Sequence, residues 1–146
     1  MGTLRDLLAD DAQQEKIINE CMSVLDAEVG DKGGLGGMAI KTAYKMAKGV
    51  APGIMRKIIV ALLPQFLDAL QPFHDEAKEA GKDVKQHVMS KRGDLANALL
   101  AVTDARAERE GAGPLKKGYQ KLRPSALKHV DAAVPRVADM VVKYAP

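Results

Sequence analysis

The residues in this chain that could do chemistry are few, and their spacing forms no recognisable catalytic or metal site. Asp83 and His87 are four residues apart on a predicted helix and could share one metal ion. Neither the Glu-x-x-His spacing of di-iron bundles nor the His-x-x-x-His spacing of zincins occurs in the sequence. We therefore expect His74, His87 and Asp83 to be solvated polar residues, and we predict no enzyme activity, no cofactor and no metal.

The segment from Asp31 to Met38 is the one glycine-rich loop. Its Lys32–Gly36 portion, Lys-Gly-Gly-Leu-Gly, resembles the start of a phosphate-binding loop, which would continue with Lys and then Ser or Thr; Gly37 and Met38 stand there instead. The loop also follows an amphipathic helical pattern rather than a strand. We interpret it as a helix cap and close-packing turn, with a generic anion cradle as the alternative.

Cys21 is the only cysteine, which excludes an internal disulfide and fits a reducing compartment. It lies in an apolar stripe at helical spacing, formed by Ile17, Ile18, Cys21, Met22, Leu25 and Val29. No nearby base lowers its pKa, so we expect a small core residue rather than a reactive thiol. The N-terminus lacks a signal-peptide pattern, and the longest uncharged apolar run, Ile58–Leu67, is ten residues against about 20 for a bilayer span. We expect a cytoplasmic protein that is not transmembrane.

Charge is unevenly distributed, although the net charge is only +3. Residues 1–31 hold eight acidic and two basic side chains, whereas residues 32–64 hold six basic and no acidic ones. We expect the acidic N-terminal helix to lie beside the basic segments and neutralise them. The alternative is an exposed basic face that binds nucleic acid or an anionic membrane surface. The anion contacts in that alternative are Lys32, Lys41, Lys45, Lys48, Lys116, Lys117, Lys121 and Arg123.

The stretch from Pro52 to Phe73 is the most apolar part of the chain, and the other elements must pack around it. Pro52 suits the first turn of a helix, and Pro72 is expected to end that helix. Apolar residues cover about two thirds of its circumference, with Pro64 on the polar side. We therefore predict a buried central helix over about residues 52–71.

Apolar residues at helical spacing predict further helices on both sides of this one. Upstream, a basic amphipathic helix is expected over Met38–Val50. Downstream, Pro72 is expected to start a fourth helix, Gly93–Asp94 to cap a fifth, and Arg123–Pro124 to stop a short one. The last helix carries apolar residues in steps of three and four: Leu127, Val130, Val134, Val137, Val141 and Tyr144. We predict one all-α domain over residues 1–146, a bundle of five to seven helices around the central one.

Four short segments of the middle third of the chain are similar to a known family. They are Gly33-Gly-Leu-Gly-Gly-Met-Ala-Ile-Lys41, Pro52-Gly53, Leu62-Leu-Pro-Gln-Phe66 and Leu70-Gln-Pro-Phe73. The stretch resembles a small family of uncharacterised bacterial all-helical proteins. The resemblance implies a compact helical domain and no known activity, and it assigns no site residue.

The function is open between classes, because no motif in the sequence is strong. The first hypothesis is a non-enzymatic interaction or scaffold module that binds itself or another protein, since the chain has surplus apolar helical surface and no catalytic set. The second is a carrier of a lipid or other apolar molecule in the bundle core, since methionine adapts to irregular ligands. The pocket residues in that hypothesis are Met22, Met38, Met46, Met55, Leu62, Leu63 and Phe66. Binding of nucleic acid or a membrane surface comes third.

Overall fold

The computed structural model describes residues 3–31, 41–42, 44–46, 49, 53–109 and 114–145, and the side chains of residues 31, 114 and 115 are outside that description. In these ranges the chain is helical and contains no strand, which confirms the predicted all-α bundle. A 3-10 helix, Leu4–Leu8, precedes five α-helices: α1 (Asp11–Asp31), α2 (Ile54–Glu79), α3 (Val84–Ser90), α4 (Arg92–Arg109) and α5 (Pro114–Tyr144). The described residues within 41–49 are helical too; the glycine-rich loop and the rest of the predicted helix Met38–Val50 lie outside the described residues.

Helix α2 is the predicted central helix, but it is longer than the sequence indicated. The prediction that Pro72 ends it is wrong, because the helix continues through Pro72 to Glu79. Pro72 is exposed, so the hydrogen bond that its missing N–H would make to the Asp68 carbonyl is lost on the side that faces water. The apolar face of α2 is buried at Leu62, Leu63, Leu67, Leu70 and Ala77. Within the described ranges, no helix is both long enough and apolar enough to cross a membrane.

The break between α2 and α3 falls after Glu79 rather than at Pro72. Gly81 adopts a φ of 65°, a left-handed conformation that favours glycine, and reverses the chain there. Asp83 then caps α3, because its side chain accepts a hydrogen bond from the Gln86 N–H at 3.0 Å. The helix that was expected to begin at Pro72 therefore begins at Val84.

The second prediction that relied on a proline is also wrong, and it concerns helix α5. A stop was expected at Arg123–Pro124, yet one helix runs from Pro114 to Tyr144. Side chains on both sides of Pro124 bind α4: Tyr119 and Arg123 before it, and Asp131 after it. These contacts offset the cost of an internal proline, which is about 3 kcal/mol in an isolated helix.

The core is densely packed on one side of α2 and open on the other. On the dense side, α5 packs most extensively on α4 and α3. The side chains at 0–1% exposure all lie there: Ala77, Val88, Leu95, Ala96, Val134 and Ala138. On the other side, the 3-10 helix and α1 bury Leu4, Ile17 and Ile18, but most of the apolar stripe of α1 is only half-buried.

Ion pairs attach α1 to the basic segments of the chain. Glu15 pairs with Arg56 of α2 at 2.6 Å, and Glu20 pairs with Lys143 of α5 at 2.5 Å. Glu28 pairs with the guanidinium of Arg136, also on α5. The expectation that the acidic N-terminal helix lies beside basic segments and neutralises them is confirmed at these three pairs.

Candidate functional site

An apolar cavity of about 400 Å³ lies on the open side of α2, beneath α1. The 3-10 helix, α1, α2, α4 and α5 all contribute to its wall, and it is partly open to solvent. Nearly all of its lining surface is apolar. The lining residues are Leu4, Leu7, Ile17, Cys21, Val24, Leu25, Glu28, Val29, Ile59, Leu63, Phe66, Leu67, Leu70, Leu99, Thr103, His129, Val130, Ala133, Val137, Met140, Val141 and Tyr144.

Helix α1 faces the cavity with the stripe that its sequence predicted as core. Ile17, Cys21, Leu25 and Val29 recur every four residues, so they lie along one side of the helix. Cys21, Leu25 and Val29 are only half-buried, although they point inward. They are half-buried because they border the cavity instead of other side chains.

Helix α5 supplies the opposite wall, and its apolar series divides between two environments. Val134 is fully buried on the dense side of the bundle. Val130, Val137, Val141 and Tyr144 line the cavity. The small side chain of Ala133 lies among them and leaves space open. The pattern that was expected to pack on the central helix therefore packs on one side and borders the cavity on the other.

The cavity is elongated along α1 and α5. These helices run antiparallel, because Glu20 pairs with Lys143 and Glu28 with Arg136. The lining of α5 extends from residue 129 to residue 144, which is about 22 Å at 1.5 Å per residue. The lining of α1 extends from Ile17 to Val29, so both helical walls are long. Walls of this length fit an extended chain better than a compact ring system.

Cys21 and Tyr144 are lining residues with titratable side chains, and neither brings charge to the cavity. Burial, and secondarily the neighbouring Glu20 carboxylate, raise the pKa of the Cys21 thiol to about 11. Burial also raises the pKa of Tyr144, whose hydroxyl donates to Glu20 Oε1 at 3.2 Å. Both groups are therefore neutral near pH 7.

Glu28 is the one acidic residue among the described residues of the lining. It is 9% exposed, and its carboxylate forms an ion pair with Arg136. The Arg136 side chain is 38% exposed and is not part of the lining. Because almost none of the lining surface is polar, Glu28 contributes mainly apolar atoms to the wall.

A hydrogen-bond network fixes the wall where α4 meets α5. Thr103 lines the cavity, and its Oγ1 lies 2.7 Å from the hydroxyl of Tyr119. That hydroxyl donates to Asp104, which also accepts two hydrogen bonds from the Arg123 guanidinium, at 2.9 and 3.1 Å. The bonds from Arg123, and then that from Tyr119, lower the pKa of Asp104. Thr103 is therefore positioned by its neighbours.

The apolar residues that we proposed from the sequence for a ligand pocket lie partly in the cavity lining and partly outside it. Leu63 and Phe66 line the cavity. Leu62 is buried outside the lining, and Met22 and Met55 are half-buried outside it. Met46 is 64% exposed, and Met38 lies outside the described residues. Sequence reasoning missed the α5 wall as a ligand surface, although it had recognised the apolar spacing that forms it.

The proposed anion contacts have different environments. Lys41, Lys45, Lys117 and Lys121 are exposed, and Lys116 is half-buried. Lys32 and Lys48 lie outside the described side chains. The Arg123 guanidinium is engaged by Asp104 in the network described above.

The histidines considered for a metal site have structural partners. His87 is 8% exposed, and its Nε2 lies 2.9 Å from Glu76 Oε2. His74 is half-buried, with its Nε2 2.8 Å from the carbonyl oxygen of Ala145. The expectation that these polar residues are solvated is wrong for His87, which is buried, and is confirmed for Asp83, which is exposed. No cluster of three metal-ligating side chains exists among the described residues.

Comparison with known proteins places the chain in one family. Residues 4–145 match a family described as "Family of unknown function (DUF6918)". No curated protein and no solved structure matches the chain.

Proposed function

We propose that this chain, a member of the DUF6918 family of unknown function, binds a long-chain apolar molecule in the cavity beneath α1. The proposal rests on the geometry of the chain itself. The single observation that carries the proposal is the elongated, almost wholly apolar cavity of about 400 Å³. Ligand sites in proteins typically measure about 300–1,000 Å³, and they combine apolar walls with a few placed polar groups. This cavity matches that volume and those apolar walls, although almost none of its lining surface is polar.

The energetics of the cavity favour an occupant. The cavity is partly open to solvent, so its apolar wall is surface that stays in contact with water when the cavity is empty. Removing apolar surface from water is favourable by about 25 cal/mol per Å². A long apolar chain would fill the same volume and bury the exposed faces of α1 and α5.

The interaction-module hypothesis remains a second prediction with less geometric support. Among the described residues, the large apolar side chains that are most exposed are Met46, Val60 and Leu127, on three different parts of the chain. A mass equal to one chain in light scattering would count against self-association. Binding of nucleic acid or an anionic membrane surface stays a third prediction, and it requires an affinity that falls steeply with added salt. The cytoplasm remains the proposed compartment, because Cys21 is the only cysteine.

Titration with a neutral apolar dye tests the proposed function. N-phenyl-1-naphthylamine fluoresces when it enters apolar surroundings, and the full chain, freed of co-purifying lipid, provides the site. We expect saturable binding of one dye per chain and its displacement by 1-dodecanol. Fluorescence that rises without saturation, or dye that the alcohol does not displace, would contradict the proposal.

A further inference from the structure

Resting on the proposed function, we infer that an open polar cleft between α1 and the last turn of α5 is the head-group end of the same ligand site, and that it binds the anionic head group of a long-chain lipid. The head group is a carboxylate or a phosphate, and its alkyl chain lies in the apolar cavity. The reason lies in the residues that line the cleft, which differ in kind from those that line the cavity.

The cleft is lined by polar and charged side chains. Four belong to α1 and two to α5: Lys16, Asn19, Glu20, Ser23, Lys143 and Tyr144. The four on α1 recur at helical spacing, so they share one face of that helix. Lys16, Asn19 and Ser23 are exposed. Their ammonium, amide and hydroxyl groups are hydrogen-bond donors, which is what the oxygens of a carboxylate or phosphate require.

Tyr144 connects the cleft to the cavity, because it is the one described residue that lines both. Its hydroxyl donates to Glu20 Oε1 at 3.2 Å, and Glu20 lines the cleft but not the cavity. Almost all of the cavity lining is apolar, so Tyr144 contributes its ring to the cavity and its hydroxyl to the cleft. Along α1, the cavity residues Cys21 and Val24 directly follow the cleft residues Glu20 and Ser23. The polar cleft and the apolar cavity therefore adjoin, as the two ends of an amphiphile require.

The charge of the cleft favours an anion. Glu20 is compensated, because its carboxylate pairs with the Lys143 ammonium at 2.5 Å. The charge of Lys16 is then the net charge of the described residues that line the cleft. Lys16 and Lys143 also belong to the two helices that form the cleft, so both can attract one head group.

The exposure of the cleft allows a charged group to bind beside an apolar cavity. A head group at Lys16 and Ser23 keeps part of its water, because both side chains are exposed. The cost of transferring a charge into apolar surroundings is then largely avoided. The alkyl chain leaves water when it enters the cavity, so an amphiphile gains at both ends.

Twelve-carbon ligands test this inference by displacement of the neutral dye at about pH 8 and low salt, where surface charges are screened least. The quantity measured is the ratio of the dodecanoate affinity to the 1-dodecanol affinity, in which the contribution of the shared alkyl chain cancels. We expect this ratio to fall about threefold in Lys16→Gln and about tenfold in Lys16→Glu, because each change weakens the attraction for the carboxylate and leaves the cavity intact. Dodecyl phosphate in place of dodecanoate should show the same order of variants.

Lys128→Gln is the matched control. Lys128 is an exposed lysine of α5 that lines neither the cleft nor the cavity, so its loss removes the same charge elsewhere and should leave the ratio unchanged. A ratio that stays constant in both Lys16 variants, or that falls equally in Lys128→Gln, would overturn the inference.

Inorganic phosphate added without a lipid distinguishes a free anion from a lipid head group. We expect it to compete with dodecanoate at least about 100-fold more weakly than dodecyl phosphate does, because it has no chain to bury. Equal competition would overturn the inference and place a free anion in the cleft. Failure of dodecanoate and 1-dodecanol alike to displace the dye would instead contradict the proposed function, so the two failures are distinguishable.

Discussion

Glu28 of α1 and Arg136 of α5 are 108 residues apart in the chain, yet they form an ion pair along the side of the cavity. Together with the pairs Glu15–Arg56 and Glu20–Lys143, it attaches α1 at its margins. Between those attachments, the apolar face of α1 borders open space. Ion pairs thus hold α1 against α2 and α5, while its apolar face borders the cavity.

The Glu28–Arg136 pair should contribute more to stability than the other attachments of α1. The Glu28 side chain is 11% exposed, so Glu28→Gln removes the charge of a mostly buried carboxylate and its ion pair with Arg136. We expect a loss of about 1–3 kcal/mol in the free energy of unfolding, measured by urea denaturation. The control is Glu20→Gln, whose partner Lys143 is 61% exposed and which should lose about 0–1 kcal/mol. Equal losses in the two variants would contradict this ranking.

Filling the cavity should weaken binding without unfolding the chain. Ala133 lines the cavity and Ala132, its neighbour in α5, is exposed. The change Ala133→Leu places three extra carbons in the cavity, so we expect dye affinity to fall about tenfold or more and thermal stability to rise modestly. Ala132→Leu adds the same atoms at the surface and should leave affinity unchanged. If both variants bind the dye like the wild type, the ligand does not occupy this cavity.

Cys21 should react slowly with thiol reagents in the folded chain. Its pKa of about 11, against an ordinary 9.0, makes the thiolate about 100-fold rarer at pH 8 than in an unfolded chain. We expect alkylation by iodoacetamide to be slower by at least that factor than in urea, and slower still when 1-dodecanol is bound. A folded-state rate equal to that in urea would show that the thiol does not border a dry cavity.

The Asp104 network should stabilise the chain at neutral pH and not in acid. Hydrogen bonds from Arg123 and then Tyr119 lower the pKa of Asp104 below its ordinary 3.8, so the folded state favours the carboxylate. Its contribution is therefore present above about pH 4 and is lost as the pH falls through the lowered folded-state pKa. Asp104→Asn should cost up to about 1 kcal/mol at pH 7, because the pair is well exposed, and almost nothing near pH 2. A difference between wild type and variant that is the same at both pH values would contradict this role.

The helices could be predicted from the sequence better than their ends. Apolar spacing located α1, α2 and the last helix, because burial of one face determines which residues are apolar. The predictions based on prolines were wrong. A local rule predicts that a helix ends at Pro72 and at Pro124, whereas both prolines are exposed and the helices continue through them. Tertiary contacts, such as Arg92 to Asp131 across α4 and α5, decide such cases, and they are not visible in a local pattern.

The cavity itself could not be predicted, because a sequence shows which residues are apolar but not which space they leave empty. Methionines were proposed as the lining for their flexibility, yet the structure brings Leu63 and Phe66 to the cavity and places Met22 and Met55 elsewhere. The open space comes instead from a small residue, Ala133, opposite an α1 stripe that packs on few neighbours.

The central claim is that an apolar chain occupies the cavity, and intermolecular nuclear Overhauser effects test it most directly. Unlabelled 1-dodecanol is added to protein labelled with ¹³C at its methyl groups. We predict contacts from the ligand to methyl groups of Ile59, Leu63 and Val137, which line the cavity. Contacts to Val60 and Leu127, which are 41% and 42% exposed, in place of those methyl groups would contradict the account.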